Sequence, residues 1–153
     1  TNFPLIHPMS VNVNAAGQVF VTMIYEGMAY QDGNAIVINS TVDSADFLVA
    51  SFDPLGNFLW ANASNDVGDQ VVEDAACGPS GDLYLAGYMS REFVFAGDTI
   101  NFSPNQYAIE GMVMRVSTDG SLKWVMEAPS IASDISIYDS EQFYFGCMSE
   151  GLV

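Results

Sequence analysis

Positive charge is almost missing from this chain. Three Lys plus Arg stand against nineteen Asp plus Glu, a formal net charge of −16 over 153 residues. Three cations cannot neutralise a run of phosphates, so nucleic acid is excluded as a main partner. Docking on an anionic membrane surface is excluded for the same reason. Cysteine is scarce as well. Cys77 and Cys147 are too few for a disulfide framework and lack the paired spacing of a zinc site. A single histidine, His7, rules out a His-rich metal centre and leaves a Ser-His-Asp arrangement one candidate base. His7 sits between Ile6 and Pro8, where a packing or surface role is expected. No run of about 18 apolar residues occurs, so no transmembrane helix is expected. No basic segment leading into an apolar run opens the chain, so no signal peptide is visible.

What is present is apolar. Residues of hydrophobic type make up 50 % of the chain and charged residues 14 %. That is enough to bury a core, and the length suits one domain.

The most informative feature is internal similarity. Gly17 matches Gly81, Gly56 matches Gly120 and Trp60 matches Trp124, each pair 64 positions apart. The flanking segments match too. Ala16-Gly17-Gln18-Val19-Phe20-Val21 falls on Ser80-Gly81-Asp82-Leu83-Tyr84-Leu85, and Phe47 to Phe52 falls on Gly111 to Val116. A third copy, Gln142 to Cys147, matches Asp82 to Gly87 at an offset of 60, with Glu141 in place of the turn glycine.

Each unit reads as four short strands. In the second unit they are expected at about Val71 to Ala76, Asp82 to Met89, Gly111 to Val116 and Ser121 to Glu127. A long connection, Ser90 to Glu110, separates the middle two. Gly with Asp, Asn, Pro and Ser marks the turns, and Val, Ile, Phe, Tyr and Trp load the strands. The strands are nearly continuous in apolar residues, as in Val19 to Tyr25 and Leu83 to Tyr88. A strand with one wet face would alternate, so both faces are expected to be covered. The expected class is all-β. The expected architecture is a β-propeller of four-stranded antiparallel blades, with a β-sandwich as the alternative. The units span about 9–63, 71–127 and, in part, 131–148. Ten strands make about two and a half blades, too few to close a ring. The expectation is therefore an open arc within a longer polypeptide, or one protomer of a ring or filament.

The segments Asp46 to Ala61 and Pro79 to Gly87 resemble the bacterial SBBP beta-propeller repeats. Those repeats read roughly D-x-F-V-x-K-x-D-x-x-G-N-x-x-W, followed by D-x-x-G-N-x-Y-V-x-G. Phe95-Ala96-Gly97-Asp98-Thr99-Ile100 is similar to an F-G-x-T-x-L element between the second and third strands of some members. The resemblance runs from about Ser10 to Met148. It departs at the Lys position, here Ser51 and Arg115, at the turn Asp, replaced by Ser117, and at Glu141. The resemblance implies a secreted or cell-surface bacterial module, as in Bacteroidota that export such proteins by the type IX system. It implies no particular activity.

Candidate sites are few. Asp66 and Asp69, in the loop Asn65 to Asp69, can offer oxygen ligands to calcium, although a solvated turn is the plainer reading. Ser44 and Thr99 fit a short Asp-Ser/Thr-apolar O-glycosylation pattern known in Bacteroidota, and both are expected to be exposed. Asn39, Asn62 and Asn101 open N-glycosylation sequons, discounted for a bacterial chain. Glu73 and Asp74 are adjacent carboxylates, expected on opposite faces of a strand and so unable to share a substrate. Trp60 and Trp124 suit stacking on sugars, but their equivalent places in the repeat favour packing between blades. Cys77 and Cys147 are expected to be free, because the strand order separates them by roughly 15 Å along the strands.

The functional expectation is a non-enzymatic module for binding, adhesion or scaffolding, with no cofactor. Its partners would be further blades or protomers and an unidentified protein or glycan. The alternatives are a fragment of a propeller enzyme acting on glycans, or a subunit of an extracellular filament.

Overall fold

The computed structural model describes residues 6–25, 30–31, 34–35, 44–64, 67–102, 109–139 and 142–148. Every element among them is a strand. In chain order these are β1 (Ile6–Val13), β2 (Val19–Tyr25), β3 (Tyr30–Gln31), β4 (Asn34–Ala35), β5 (Asp46–Phe52), β6 (Phe58–Ala63) and β7 (Gln70–Cys77). They continue as β8 (Leu83–Met89), β9 (Phe93–Phe95), β10 (Asp98–Ile100), β11 (Glu110–Val116), β12 (Leu122–Ala128), β13 (Ala132–Ile137) and β14 (Phe143–Cys147).

The fold is all-β and antiparallel. One four-stranded sheet runs β1-β2-β5-β6 and a second runs β7-β8-β11-β12. β13 and β14 form a hairpin, and two short ribbons, β3-β4 and β9-β10, lie within the connections between the middle strands. Those ribbons are the main difference from the sequence reading, which left both connections without strands. Phe93-Val94-Phe95 and Asp98-Thr99-Ile100 flank a two-residue turn, Ala96-Gly97, with both φ angles positive at 52° and 90°. That backbone twist suits a tight hairpin.

The repeat extends to backbone detail. Gly17, Gly56, Gly81 and Gly120 all have φ between +81° and +89° at the ends of their turns. Trp60 pairs with Ser51 and Trp124 with Arg115, each next to a register shift at the following residue of the partner strand. The first hairpin of every unit carries a bulge at the same place, over Pro8/Ser10, Val72/Asp74 and Ala132/Asp134.

Both faces of the central strands are buried. β5 is buried from Asp46 to Ser51, and β8 is buried apart from Tyr88. Phe47 and Val49 of β5 pack with Met112, Met114 and Val116 of β11 in a core between the two sheets, and Phe93 and Phe95 of the β9-β10 ribbon join it. Tyr84, Ala86 and Val113 face the other way, onto Ala132 and Ile135 of β13. The second sheet is thus sandwiched between the first and the third hairpin. The first strands of the units adjoin: β7 touches β1 on one side and β13 on the other.

Candidate functional site

The geometry that repeats with the units is the seam between them. At the first seam the turns of the second unit accept hydrogen bonds from side chains of the first. Asn14 Nδ2 donates to the Gly81 carbonyl at 3.1 Å. Trp60 Nε1 and Gln18 Nε2 both donate to the Thr118 carbonyl, at 2.8 and 2.7 Å, and Asn62 Nδ2 donates to the Gly120 carbonyl at 2.8 Å. The Trp60 indole lies against Gly120, where a Cβ would stand 2.9 Å from the ring. Only glycine combines that approach with a φ of +89°.

The second seam is less polar. Trp124 stacks on Phe143 with centroids 5.4 Å apart and meets Tyr84 edge-on at 5.9 Å. Asp74 Oδ2 accepts the Ile135 N–H at 3.0 Å. In each sheet the tryptophan lies over the aromatic residue at the equivalent place of the second strand. Phe20 and Trp60 are 6.0 Å apart, matching the Tyr84–Trp124 pair. Both tryptophans are packing residues at seams rather than exposed stacking platforms.

Beyond the third hairpin lies an open face. Phe20 and Tyr84 are 0 % and 2 % exposed, yet Tyr144, at the same position of the third unit, is 65 % exposed. Among the described residues β14 pairs only with β13. Tyr138 and Met148 are also exposed at this end.

The sequence reading missed a buried polar cluster where β2, β5 and β6 of the first sheet end. Tyr25 OH donates to the Ser64 carbonyl at 3.0 Å, and Ser64 Oγ donates to Asp46 Oδ1 at 3.0 Å and accepts the Phe47 N–H at 2.9 Å. Burial first, and then the Asp46 charge, push the Tyr25 hydroxyl well above its ordinary pKa. Gln70 is fully buried beside this region, and its N–H donates to the Ala45 carbonyl at 2.7 Å. Asp46 opens the repeat motif. Its signal was a carboxylate placed just before a strand apolar on both faces, which must find partners when buried.

Of the candidate calcium ligands, Asp66 lies outside the described residues. Asp69 Oδ1 accepts the Ala45 N–H at 3.0 Å, and the Asp69 N–H donates to Ser90 Oγ at 2.7 Å. It ties the two units together. No cluster of three or more His, Cys, Asp or Glu side chains suited to a metal occurs among the described residues.

The two glycosylation candidates separate. Thr99 is exposed on β10, as expected. Ser44 is 5 % exposed, against expectation, because the chain is already entering the buried strand β5. Asn39 lies outside the described residues. Asn62 is committed to the seam, and Asn101 Nδ2 donates to Glu92 Oε2 at 2.9 Å.

The alternation argument for Glu73 and Asp74 needs correction. A bulge falls at this point of β7, so strict alternation is interrupted. Asp74 is nonetheless held by its bond to Ile135. His7 is exposed on β1.

Both cysteines are free. Cys77 ends β7 half-buried against the first seam, and burial pushes its thiol up to about 11. Cys147 is exposed at the end of β14. Arg115 and Asp82 form an ion pair at 2.7 Å where the first unit has the Ser51–Gln18 hydrogen bond, and the guanidinium lies 5.3 Å from the Tyr84 ring. The chain matches no protein-family model and no curated protein.

Proposed function

We propose that the chain is a run of β-propeller units, two complete and one partial, that serves as a non-enzymatic binding or scaffold module outside the cell. The observation that carries this reading is the repeated seam. Successive sheets stack face to face, the turns of the second unit receive side chains from the first, and the first strands β1, β7 and β13 lie next to one another. Radial stacking of four-stranded sheets has these properties, with first strands crowded at the axis. A two-layer sandwich has no place for a sheet packed on both faces, as the second sheet is here. The repeat resemblance is what supports the extracellular placement and the module reading.

Two measurements test this. Aligning the first sheet onto the second and the second onto the third hairpin, in an experimental structure, should give rotations about one common axis. Two unrelated axes would contradict the propeller. Incubation with a panel of polysaccharides should release no new reducing ends, and turnover above background would replace the module with an enzyme.

A further inference from the structure

We infer that Ala45, Asp69 and Gln70 form a latch at one end of the first seam, and that the two sheets begin to part where it opens. The inference uses only the packing of the first sheet on the second, and it holds whether or not the units belong to a ring.

The latch is a two-way clasp on one residue. The Ala45 N–H, just before β5, donates to Asp69 Oδ1 at 3.0 Å, and the Ala45 carbonyl accepts the Gln70 N–H at 2.7 Å. Both bonds join the first unit to the second. Asp69 is braced by Ser90: its N–H donates to Ser90 Oγ at 2.7 Å, and its carbonyl accepts the Ser90 N–H at 2.8 Å. Asp69 is also exposed. Water therefore competes for its bond to Ala45, which keeps the net strength of that bond modest.

What lies under the clasp favours its opening. Gln70 is fully buried. It pairs with Met89 and stands two positions before Val72, and both of those residues belong to the core between the sheets, so its side chain faces that core. Neither the oxygen nor the nitrogen of its carboxamide has a hydrogen-bond partner among the described residues. Such a group can make up to about four hydrogen bonds, and burying it with none leaves its desolvation uncompensated. Opening the clasp admits water and relieves that cost.

The second seam is built differently. Its strands align with those of the first through their bulges, which places Pro129 and Ser130 where the second unit has Asp69 and Gln70. Proline brings neither an N–H nor a carboxylate. The Ser130 hydroxyl donates to the Met148 carbonyl at 2.6 Å, so the polar atom at this position is satisfied. The latch and the reason for its opening thus occur together, at the first seam.

The test is native-state hydrogen exchange of the full chain, read by NMR and corrected for intrinsic rates. The Ala45 and Gln70 amides should share one protection factor within about twofold, at least about tenfold below those of the β8 amides. Asp69→Ala takes the acceptor from Ala45 and leaves the Gln70 bond in place. The Gln70 amide should nonetheless exchange about tenfold faster, as for the loss of one hydrogen bond to a charged group. Gln70→Met keeps the length of the side chain without its polar atoms. It should slow exchange at Ala45 and Gln70 at least about fivefold more than in β8, and it should raise the denaturation midpoint.

Gln70 protection equal to that of β8 in the unaltered chain overturns the local opening. An unchanged Gln70 rate in Asp69→Ala shows two independent bonds and overturns the latch. Faster exchange, a lower midpoint or failure to fold in Gln70→Met shows that the carboxamide is partnered, and overturns the inference at its root.

Discussion

Where the first seam holds a phenyl ring, the second has a hydrogen. Phe47 and Gly111 occupy the same place in the repeat, at the start of the third strand. Phe47 is fully buried against Phe93 and Phe95 of the β9-β10 ribbon, with centroids 5.9 and 5.3 Å away. At Gly111 the backbone of the next unit comes in instead: a Cβ there would stand 1.7 Å from the Ser130 carbonyl oxygen. The two seams share a plan, yet the spacing at one end is set by what is inserted. A ribbon of aromatics fills the first, and close backbone approach shuts the second. Stacking of this kind tolerates local change because each pair of units closes its own interface.

The largest difference should appear on truncating the ring at each seam. Phe47→Ala opens a cavity in the middle of the first core and should cost about 3–5 kcal/mol in denaturant unfolding. Phe143→Ala, at the second seam, removes a ring that is only partly buried and should cost about 1–2 kcal/mol. Equal losses would mean that the seams do not differ in packing.

Gly111→Ala should come next. Backbone cannot retreat as a side chain can, so the loss should be at least about 2 kcal/mol. A neutral result would show that the second seam is looser than the structure has it.

The closed and open regions should also differ in thiol chemistry. Cys77 lies against the first seam with its thiol pushed up to about 11, so at pH 8 only about one molecule in a thousand is thiolate there. Cys147 is exposed on the third hairpin. Alkylation of the native chain followed by mass spectrometry should find Cys147 modified at least about tenfold faster. Equal rates would place Cys77 outside the seam.

A smaller effect is expected in the ribbon itself. Ala96 has a φ of 52°, a conformation that alanine rarely adopts and asparagine tolerates. Ala96→Asn should raise stability by about 0.5–1 kcal/mol, and a loss would mean that the methyl is needed where it is.

The smallest effect concerns acid. In the turn that Trp60 reaches, the Asp119 carboxylate is held down to about 2, first by the Ser117 hydroxyl and then by the backbone and hydroxyl of Ser121. A folded pKa below the unfolded one contributes stability above the unfolded pKa and loses it as the pH falls through the folded one. That contribution should therefore fade between about pH 4 and pH 2. Asp119→Asn should flatten the acid limb of the stability curve, and an unchanged limb would assign the acid loss to other carboxylates.

Much of this fold was legible because the strand code is local. Gly, Asp and Asn at fixed offsets mark turns, and strands apolar on both faces announce sheets covered on both sides. The equivalence of Trp60 and Trp124 followed from the 64-residue offset, and the structure places them opposite the equivalent residues Ser51 and Arg115. The ribbons were harder to see. Phe93-Val94-Phe95 has the alternation of a strand, but at three residues it is too short to stand out within a long connection. Its burial depends on Phe47, 46 positions earlier. Ser44 failed for a related reason. Its tripeptide describes a modification pattern and carries no information on how close the buried strand begins. The Tyr25–Ser64–Asp46 cluster joins three strand ends that only the folded sheet brings together. The openness of Tyr144 became visible only when its two equivalents proved buried.

The account stands on the claim that one unit's side chains are seated on the next unit's turns. The most direct measurement is a nuclear Overhauser spectrum of the folded chain. It should show close contacts between the Trp60 ring protons and the α-protons of Gly120, 60 residues away, with Trp124 in contact with Phe143. Trp60 contacts confined to its own sheet, with none to Gly120, would contradict it.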